Sequence, residues 1–155
     1  MRSIFKWVVP GIVGVMLVAV LALAHRGRET ERRGINPPGT PSGYPFSRGI
    51  AVGNTVYVAG HIGSGKNGKI VEGGIGPETK QALENIKEVV TEAGFSMSDI
   101  VSVNVYLTDI NDIGEMSKAY TPYFADPKPV RATVQVAGLV GTARVEISAI
   151  AQKAR

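Results

Sequence analysis

The sequence has no cysteine and only two histidines among its 155 residues. The absence of cysteine excludes a disulfide framework and any metal site built from thiolates. The histidines are His25 and His61, and His25 precedes the predicted folded domain, so no histidine cluster is expected. In other respects the composition, with 44% hydrophobic and 19% charged residues, is typical of one globular domain with a buried core.

Most of the chain also lacks a net charge. The net charge is +4, but the residues from Tyr44 onward contain eleven Lys or Arg and eleven Asp or Glu. The positive excess lies earlier, in Arg2, Lys6, Arg26, Arg28, Arg32 and Arg33. A neutral domain gives little support to nucleic-acid binding, which usually requires a basic surface.

The early basic residues flank an uncharged segment, residues 7–24. Its length falls just below the roughly 20 residues that a transmembrane helix needs, and Ala22-Leu23-Ala24 resembles a signal-peptidase site. Residues 1–25 are therefore predicted to form an apolar helix that is a membrane anchor or a signal peptide, with a buried core helix as the alternative. We expect a membrane-anchored or exported protein, with a periplasmic or other extracytoplasmic location favoured.

Residues 26–43 combine charges with proline and glycine and have too little apolar surface to offset the entropy of ordering them. They are predicted to be a linker, and residues 44–155 to be the folded domain. Within that domain Gly53-Asn54 separates two β-prone runs and predicts a tight turn between them. Ile70-Val71 is predicted to be a further short strand or a strand edge.

The centre of the domain has the periodicity of a helix followed by a strand. Apolar residues between 82 and 93 recur at three- and four-residue spacing, with Pro77 before them and Gly94 after them. Residues 101–107 alternate as a half-buried strand does. A second, shorter helix follows, and two strands end the domain. The order β-β-(β)-α-β-α-β-β predicts an α+β fold with the helices on one face of the sheet.

The segment VRATVQVAGLVGTARVEISAIA, residues 130–151, is nearly all small or apolar and is predicted to be a β-hairpin. A turn near residues 139 and 140 would place Glu146 opposite about Thr133, two residues from Arg131. A guanidinium can bind a carboxylate through two parallel hydrogen bonds, and a carboxylate can position a water molecule. From the residues alone, Arg131 could equally be paired with a nearby carboxylate, and Glu146 could be bonded to backbone amides.

Four segments of the domain carry a family pattern: AVGNTVYVAGHI, ENIKEVVTEAGFSMSDIVSVNVYLTDINDIGEM, AYTPYF and PVRATVQVAGLVGTARVEISAIA. They resemble the reactive intermediate deaminase family, also called the YjgF family. The resemblance implies a chorismate-mutase-like mixed sheet with two helices on one face, assembled as a homotrimer with a central β-barrel and sites between subunits. It also implies hydrolysis of the C=N bond of reactive 2-imino or enamine acids, such as 2-iminopropionate, to 2-keto acids and ammonia without a cofactor.

The resemblance assigns roles to single residues. Arg131 matches the arginine of the family motif P-x-R-S/A-x-V-x-V, here PVRATVQV, which implies that it binds the substrate carboxylate. Glu146 matches the family's glutamate in E-I-E-A-I-A, here VEISAIA, which implies that it positions water. These two are the predicted catalytic residues. Gly60 lies in the family's S-G-Q turn, where a residue without Cβ lets the chain pass close to a ligand.

Other positions of the predicted substrate site depart from the family pattern. Phe46 replaces a tyrosine and lacks its hydroxyl, Ser117 replaces an asparagine, and His61 replaces a glutamine. Thr133 replaces a cysteine or serine, and its hydroxyl could bind substrate or its side chain could serve packing alone. We expect Phe46, Gly60, Ser117 and Thr133 to line the substrate site together with Arg131.

Two other functions follow from these departures and from the family. The first is a non-catalytic trimer that binds small carboxylates or another protein, because the missing hydroxyl of Phe46 removes a group able to bind substrate or water. The second is a ribonuclease, which is attributed to some relatives. The neutral domain lacks a clustered surface of basic and aromatic residues and argues against RNA binding.

Overall fold

The computed structural model describes residues 31–154, which form one mixed β-sheet, two α-helices and three short 3-10 helices. The strands are β1 (Arg32–Ile35), β2 (Gly49–Val52), β3 (Thr55–Ile62), β4 (Ile100–Leu107), β5 (Val130–Gln135) and β6 (Val145–Gln152). The α-helices are α1 (Ile75–Glu92) and α2 (Ile113–Tyr120), and the 3-10 helices are Met97–Asp99, Ile110–Asp112 and Thr121–Tyr123. The strand order is β1-β2-β3-β6-β4-β5, and only β4 and β5 run parallel. This confirms the predicted α+β fold with a mixed sheet and two helices.

Helix α1 forms where the sequence predicts it. Pro77 lies in its first turn, where the missing N–H of proline removes no hydrogen bond. Gly94 follows its end with φ of 84°, the left-handed conformation that favours glycine. The apolar side chains between these residues are fully buried on one side of the helix: Ala82, Leu83, Ile86, Val89 and Val90. That side of α1 covers the sheet.

The sheet has one face covered by the helices and one face, named the open face here, that nothing in residues 31–154 covers. Strand β4 shows the division, because Val103, Val105 and Leu107 are buried under the helices. The alternate residues of β4 point to the open face: Ser102, Asn104 and Tyr106. The pairing of the strands places three exposed apolar side chains on the same open face: Tyr57, Val130 and Val134.

The last two strands do not form a hairpin, and that prediction is wrong. Strand β4 lies between β5 and β6. Helix α2 carries the chain back along the sheet before β5 begins, so β5 pairs with β4 in parallel. Strand β6 then pairs antiparallel with both β3 and β4. Alternating small and apolar residues predict strands, but they do not predict which strands become partners.

Two shorter segments also differ from the predicted pattern. Strand β1 lies inside residues 26–43, the predicted linker, and pairs with β2. Only Ile35 of this strand is buried, so its sequence contains no apolar alternation that would signal a strand. The predicted strand at Ile70-Val71 contributes a single isolated bridge, between Ser64 and Ile70.

The predicted membrane-anchored or exported location is wrong: no helix among residues 31–154 is long and apolar enough to cross a bilayer. Helix α1 has 18 residues, but charged side chains project from its outer side: Lys80, Glu84, Lys87, Glu88 and Glu92. Charges at the centre of a bilayer are costly, which excludes α1 as a span. The apolar helix predicted for residues 1–25 lies outside the described residues.

Candidate active site

Arg131 is held on the helix-covered face of the edge strand β5. It pairs with Val103 of β4, and paired residues of neighbouring strands share a face, so its side chain points toward α2. Its Nη2 donates a hydrogen bond to Ser117 Oγ at 3.2 Å. Its Cζ lies 4.8 Å from the centre of the Tyr120 ring. Two side chains of α2 therefore orient the guanidinium.

Helix α2 presents Ser117 and Tyr120 together because residues three apart lie on the same side of a helix. Tyr120 is 4% exposed and packs on Phe124 with the ring centres 4.6 Å apart. Burial raises the pKa of the Tyr120 hydroxyl, and the positive charge of Arg131 acts in the opposite direction. Tyr120 is not among the residues that the sequence predicts for the site. Its three-residue spacing from Ser117 on a predicted helix could have indicated that it shares the side of the helix that faces the site.

Arg131 takes part in none of the ion pairs found among residues 31–154. The serine hydroxyl and the tyrosine ring that hold it are both uncharged, so they orient the guanidinium without neutralising it. The alternative interpretation was that Arg131 is paired with a nearby carboxylate, and no carboxylate among residues 31–154 forms such a pair. A guanidinium that is oriented and still carries an unpaired positive charge is suited to bind a carboxylate through two parallel hydrogen bonds.

Glu146 lies on the open face, in β6, between β3 and β4. It pairs with Ile62 on one side and Tyr106 on the other and is half-buried. Gly60, at an irregularity in β3, lies directly beside it. A Cβ at Gly60 would lie 2.7 Å from Glu146 Cδ and would overlap the carboxylate, so glycine is the residue that leaves room for this side chain. The structure thus brings together two residues of the predicted site.

The chain just before Glu146 is anchored by Arg144. The backbone N–H of Arg144 donates to Glu78 Oε2 at 2.9 Å, and its Nη2 lies 2.8 Å from both carboxylate oxygens of Asp112. Glu78 belongs to α1 and is buried, and Asp112 immediately precedes α2. The start of β6 is therefore fixed to both helices, which limits the positions that the backbone of Glu146 can take.

Arg131 and Glu146 do not meet within one chain. The predicted register, with Glu146 opposite Thr133, is wrong, because Glu146 pairs with Tyr106 of β4, and Tyr106 in turn pairs with Val134 of β5. Arg131 lies three residues from Val134, and this odd spacing places it on the opposite face of the sheet. One charged group is therefore on the helix-covered face and the other on the open face.

Thr133 and Phe46 complete the predicted set. Thr133 lies two residues after Arg131 on the same face of β5, and its Oγ1 is buried without a hydrogen-bond partner in the described part of the chain. A ligand cannot reach a buried hydroxyl without movement of its neighbours, which favours the packing role for Thr133. Phe46 lies in the loop before β2, is 52% exposed, and contacts Tyr44 edge-on with ring centres 4.9 Å apart.

His61 is buried, and its surroundings are those of a structural residue. Nη2 of Arg48 lies 3.1 Å from its Nδ1, and a guanidinium only donates, so the imidazole proton is on Nε2. Burial lowers the pKa of His61 to about 4, and the positive charge of Arg48 acts in the same direction. Between residues 31 and 154, no three His, Cys, Asp or Glu side chains are grouped as metal ligands would be.

We expect His61 to lower the stability of the protein as the pH falls from 6.5 toward about 4. The unfolded chain takes up a proton on this residue near its ordinary pKa, but the folded chain does so only near the lowered pKa. The difference corresponds to about 3 kcal/mol of unfolding free energy. Urea unfolding at one protein concentration should show a weaker pH dependence for His61→Gln than for wild type. Equal pH dependence would mean that the fold does not hold His61 neutral.

Comparison with known sequences identifies the family. Residues 40–153 match the family described as endoribonuclease L-PSP, a range that includes every strand of the sheet except β1. The chain belongs to this family. The resemblance to the reactive intermediate deaminases, which are members of it, is thereby confirmed.

Individual members of the L-PSP family are similar over most of their own length. A RutC family protein of Pyrococcus abyssi is 44% identical over 110 residues, which cover 70% of this chain and 87% of the relative. The 2-iminobutanoate/2-iminopropanoate deaminase of Mus musculus is 41% identical over 108 residues, 69% of this chain and 80% of the relative. The crystal structure of RidA from the Antarctic bacterium Psychrobacter has a TM-score of 0.73 and 34% identity, and the match covers 78% of this chain and 99% of that one.

Proposed function

We propose that this protein hydrolyses reactive 2-imino acids and their enamine tautomers, such as 2-iminopropanoate, to 2-keto acids and ammonia. The observation that carries the proposal is the guanidinium of Arg131, oriented by Ser117 and Tyr120 and without a carboxylate partner among the described residues. Every 2-imino acid has a carboxylate next to the reacting carbon. The name of the mouse relative supports the same substrate class.

In the proposed site Arg131 binds the substrate carboxylate. Nη2 of Arg131 already donates to Ser117, which leaves other N–H groups of the guanidinium for two bonds to the substrate. A bidentate bond fixes the carboxylate plane and hence the position of C2, the carbon of the C=N bond. Fixed orientation of this kind lowers the entropy cost of reaching the transition state.

Glu146 acts on water in the proposed mechanism. Its carboxylate accepts a proton from a water molecule while the oxygen of that water adds to C2 of the protonated imine, and the π electron pair of the C=N bond moves onto nitrogen. The product of this step is a carbinolamine. Glu146 then gives this proton to the nitrogen, the carbinolamine hydroxyl loses its own proton to water as its oxygen forms the keto C=O bond, and the C–N bond breaks with its electron pair on the departing ammonia. Because free imines already hydrolyse in water, a modest acceleration is enough. A hundredfold increase in rate corresponds to lowering the activation free energy by about 2.7 kcal/mol.

We also propose that the site is shared between copies of the chain in a homotrimer. Arg131 and Glu146 lie on opposite faces of one sheet, so a single chain does not bring them to one substrate. A second copy that lays its strand β5 near the open face would supply Arg131 to Glu146. Exposed Tyr57, Val130 and Val134 favour this assembly, because exposed apolar surface often marks a protein interface. In the proposed trimer the open faces line a central β-barrel.

The direct test generates 2-iminopropanoate in the presence of the full chain and follows its loss. We expect loss faster than in buffer, in proportion to protein concentration, with pyruvate and ammonia as products. Rates equal to buffer for several 2-imino acids would contradict a deaminase. Binding of pyruvate without such turnover would instead support the alternative, a non-catalytic trimer that binds small carboxylates, which the missing hydroxyl of Phe46 favours.

A further inference from the structure

Given the proposed function, on which this step rests, we propose that Tyr120 is a positioning residue whose ring holds the Arg131 guanidinium in the orientation that the substrate carboxylate requires. Tyr120 acts through Arg131 and has no contact of its own with the substrate. Neither the sequence pattern nor the relatives' names assign it a role.

Two contacts of different kinds define the orientation of the guanidinium. The Tyr120 ring supports it from one side, with Cζ 4.8 Å from the ring centre, which is within the range of cation–π attraction. The hydrogen bond from Nη2 to Ser117 Oγ, at 3.2 Å, then fixes rotation within its plane. Arg131 is an exposed residue at the sheet edge, and an exposed arginine without such contacts samples many rotamers.

The ring, and not the hydroxyl, is the part of Tyr120 that serves the site. Its hydroxyl oxygen is buried and has no hydrogen-bond partner among the residues that the structure describes. A ligand bound at Arg131 therefore does not reach it. The ring is only 4% exposed, so Arg131 rests against a buried side chain with little freedom to move.

Two substitutions of Tyr120 should have different effects on activity. Tyr120→Leu keeps apolar bulk but removes the π face, and we expect kcat/KM for 2-iminopropanoate to fall about tenfold, the equivalent of about 1.4 kcal/mol. Tyr120→Phe keeps the ring and should restore kcat/KM to within about twofold of wild type. It should be no less stable than wild type, because it removes a buried hydroxyl that has no partner.

Phe124→Leu is the matched control for loss of packing. Phe124 is an aromatic residue of similar burial, 7% exposed against 4% for Tyr120, and it packs on the Tyr120 ring without a cation–π contact to Arg131. We expect this variant to lower thermal stability about as much as Tyr120→Leu and to keep kcat/KM within about twofold. An equal loss of kcat/KM in both variants would assign the effect to packing and overturn the proposal.

A second readout does not depend on turnover. The ring current of Tyr120 should shift the NMR signals of the Arg131 guanidinium upfield in the full chain. That shift should persist in Tyr120→Phe and disappear in Tyr120→Leu, where binding of pyruvate should also weaken about tenfold. If wild type fails to hydrolyse imines, the proposed function fails while the NMR shift and pyruvate binding still test Tyr120. Signals unchanged by Tyr120→Leu would overturn the positioning role.

Discussion

Replacement of Arg131 by lysine is expected to lower kcat/KM for 2-iminopropanoate at least 100-fold, which corresponds to about 2.7 kcal/mol of transition-state stabilisation. Lysine keeps the positive charge but presents a compact ammonium on a flexible stem. It cannot bond to Ser117 and form two parallel bonds to a carboxylate with the geometry of a planar guanidinium. The loss would therefore measure the value of orientation separately from the value of charge.

Arg32→Lys provides the matched control for this substitution. Arg32 is an exposed arginine in β1, at the sheet edge opposite to β5. The same chemical change there should leave kcat/KM within about twofold of wild type, since exposed charges far from a site have weak effects. Thermal unfolding of both variants shows whether each is folded. A folded Arg131→Lys protein with nearly wild-type kcat/KM would contradict the bidentate role of the guanidinium.

Gly60→Ala is the second substitution with a large expected effect, about a 100-fold loss of kcat/KM, similar to that of Glu146→Gln. The φ angle of Gly60 is not positive, so the backbone itself accepts alanine. The nearest atoms to the added Cβ all belong to the side chain of Glu146, so this carboxylate has to move. The substitution therefore displaces the proposed base without changing its chemistry.

A control variant and a double variant test whether the loss in Gly60→Ala comes from displacement of Glu146. Gly138→Ala is the control, because a Cβ at Gly138 would meet no atom within 4 Å and the φ of Gly138 is not positive. In addition, the double variant Gly60→Ala with Glu146→Gln should be about as slow as either single variant, since both changes remove the same function. Full additivity of the two losses, or wild-type activity of Gly60→Ala, would contradict a role for the position of Glu146.

The sequence predicts those parts of the fold that depend on local periodicity. Helix α1 has an apolar stripe and clear end signals at Pro77 and Gly94, and β4 alternates strictly over most of its length. Pairing between strands is a non-local property, and it was mispredicted for β5 and β6, which were expected to form a hairpin although β4 lies between them. Strand β1 was missed because its one buried residue, Ile35, gives no periodic pattern.

For the candidate site, the sequence predicts several of the residues but not their placement on the two faces of the sheet. Arg131, Glu146 and Gly60 were predicted from a family resemblance. The sequence predicts a close approach of the chain to a ligand at Gly60, and the structure places the Glu146 side chain there. The faces on which Arg131 and Glu146 lie could not be predicted, because a wrong partner for β6 changes which residues share a face. Tyr120 was missed because an aromatic residue on an amphipathic helix is expected to pack in the core, and its second contact, with Arg131, depends on the tertiary fold.

The most direct test of the central claim, a substrate site shared between neighbouring subunits, mixes two variants that are each inactive. Arg131→Ala and Glu146→Gln chains are co-expressed in equal amounts with different tags, and trimers that contain both tags are isolated. Each isolated mixed trimer should have about one third of the wild-type activity, because only one of its three interfaces joins an intact Arg131 of one subunit to an intact Glu146 of its neighbour. Mixed trimers with no more activity than the separate variants would contradict the shared site.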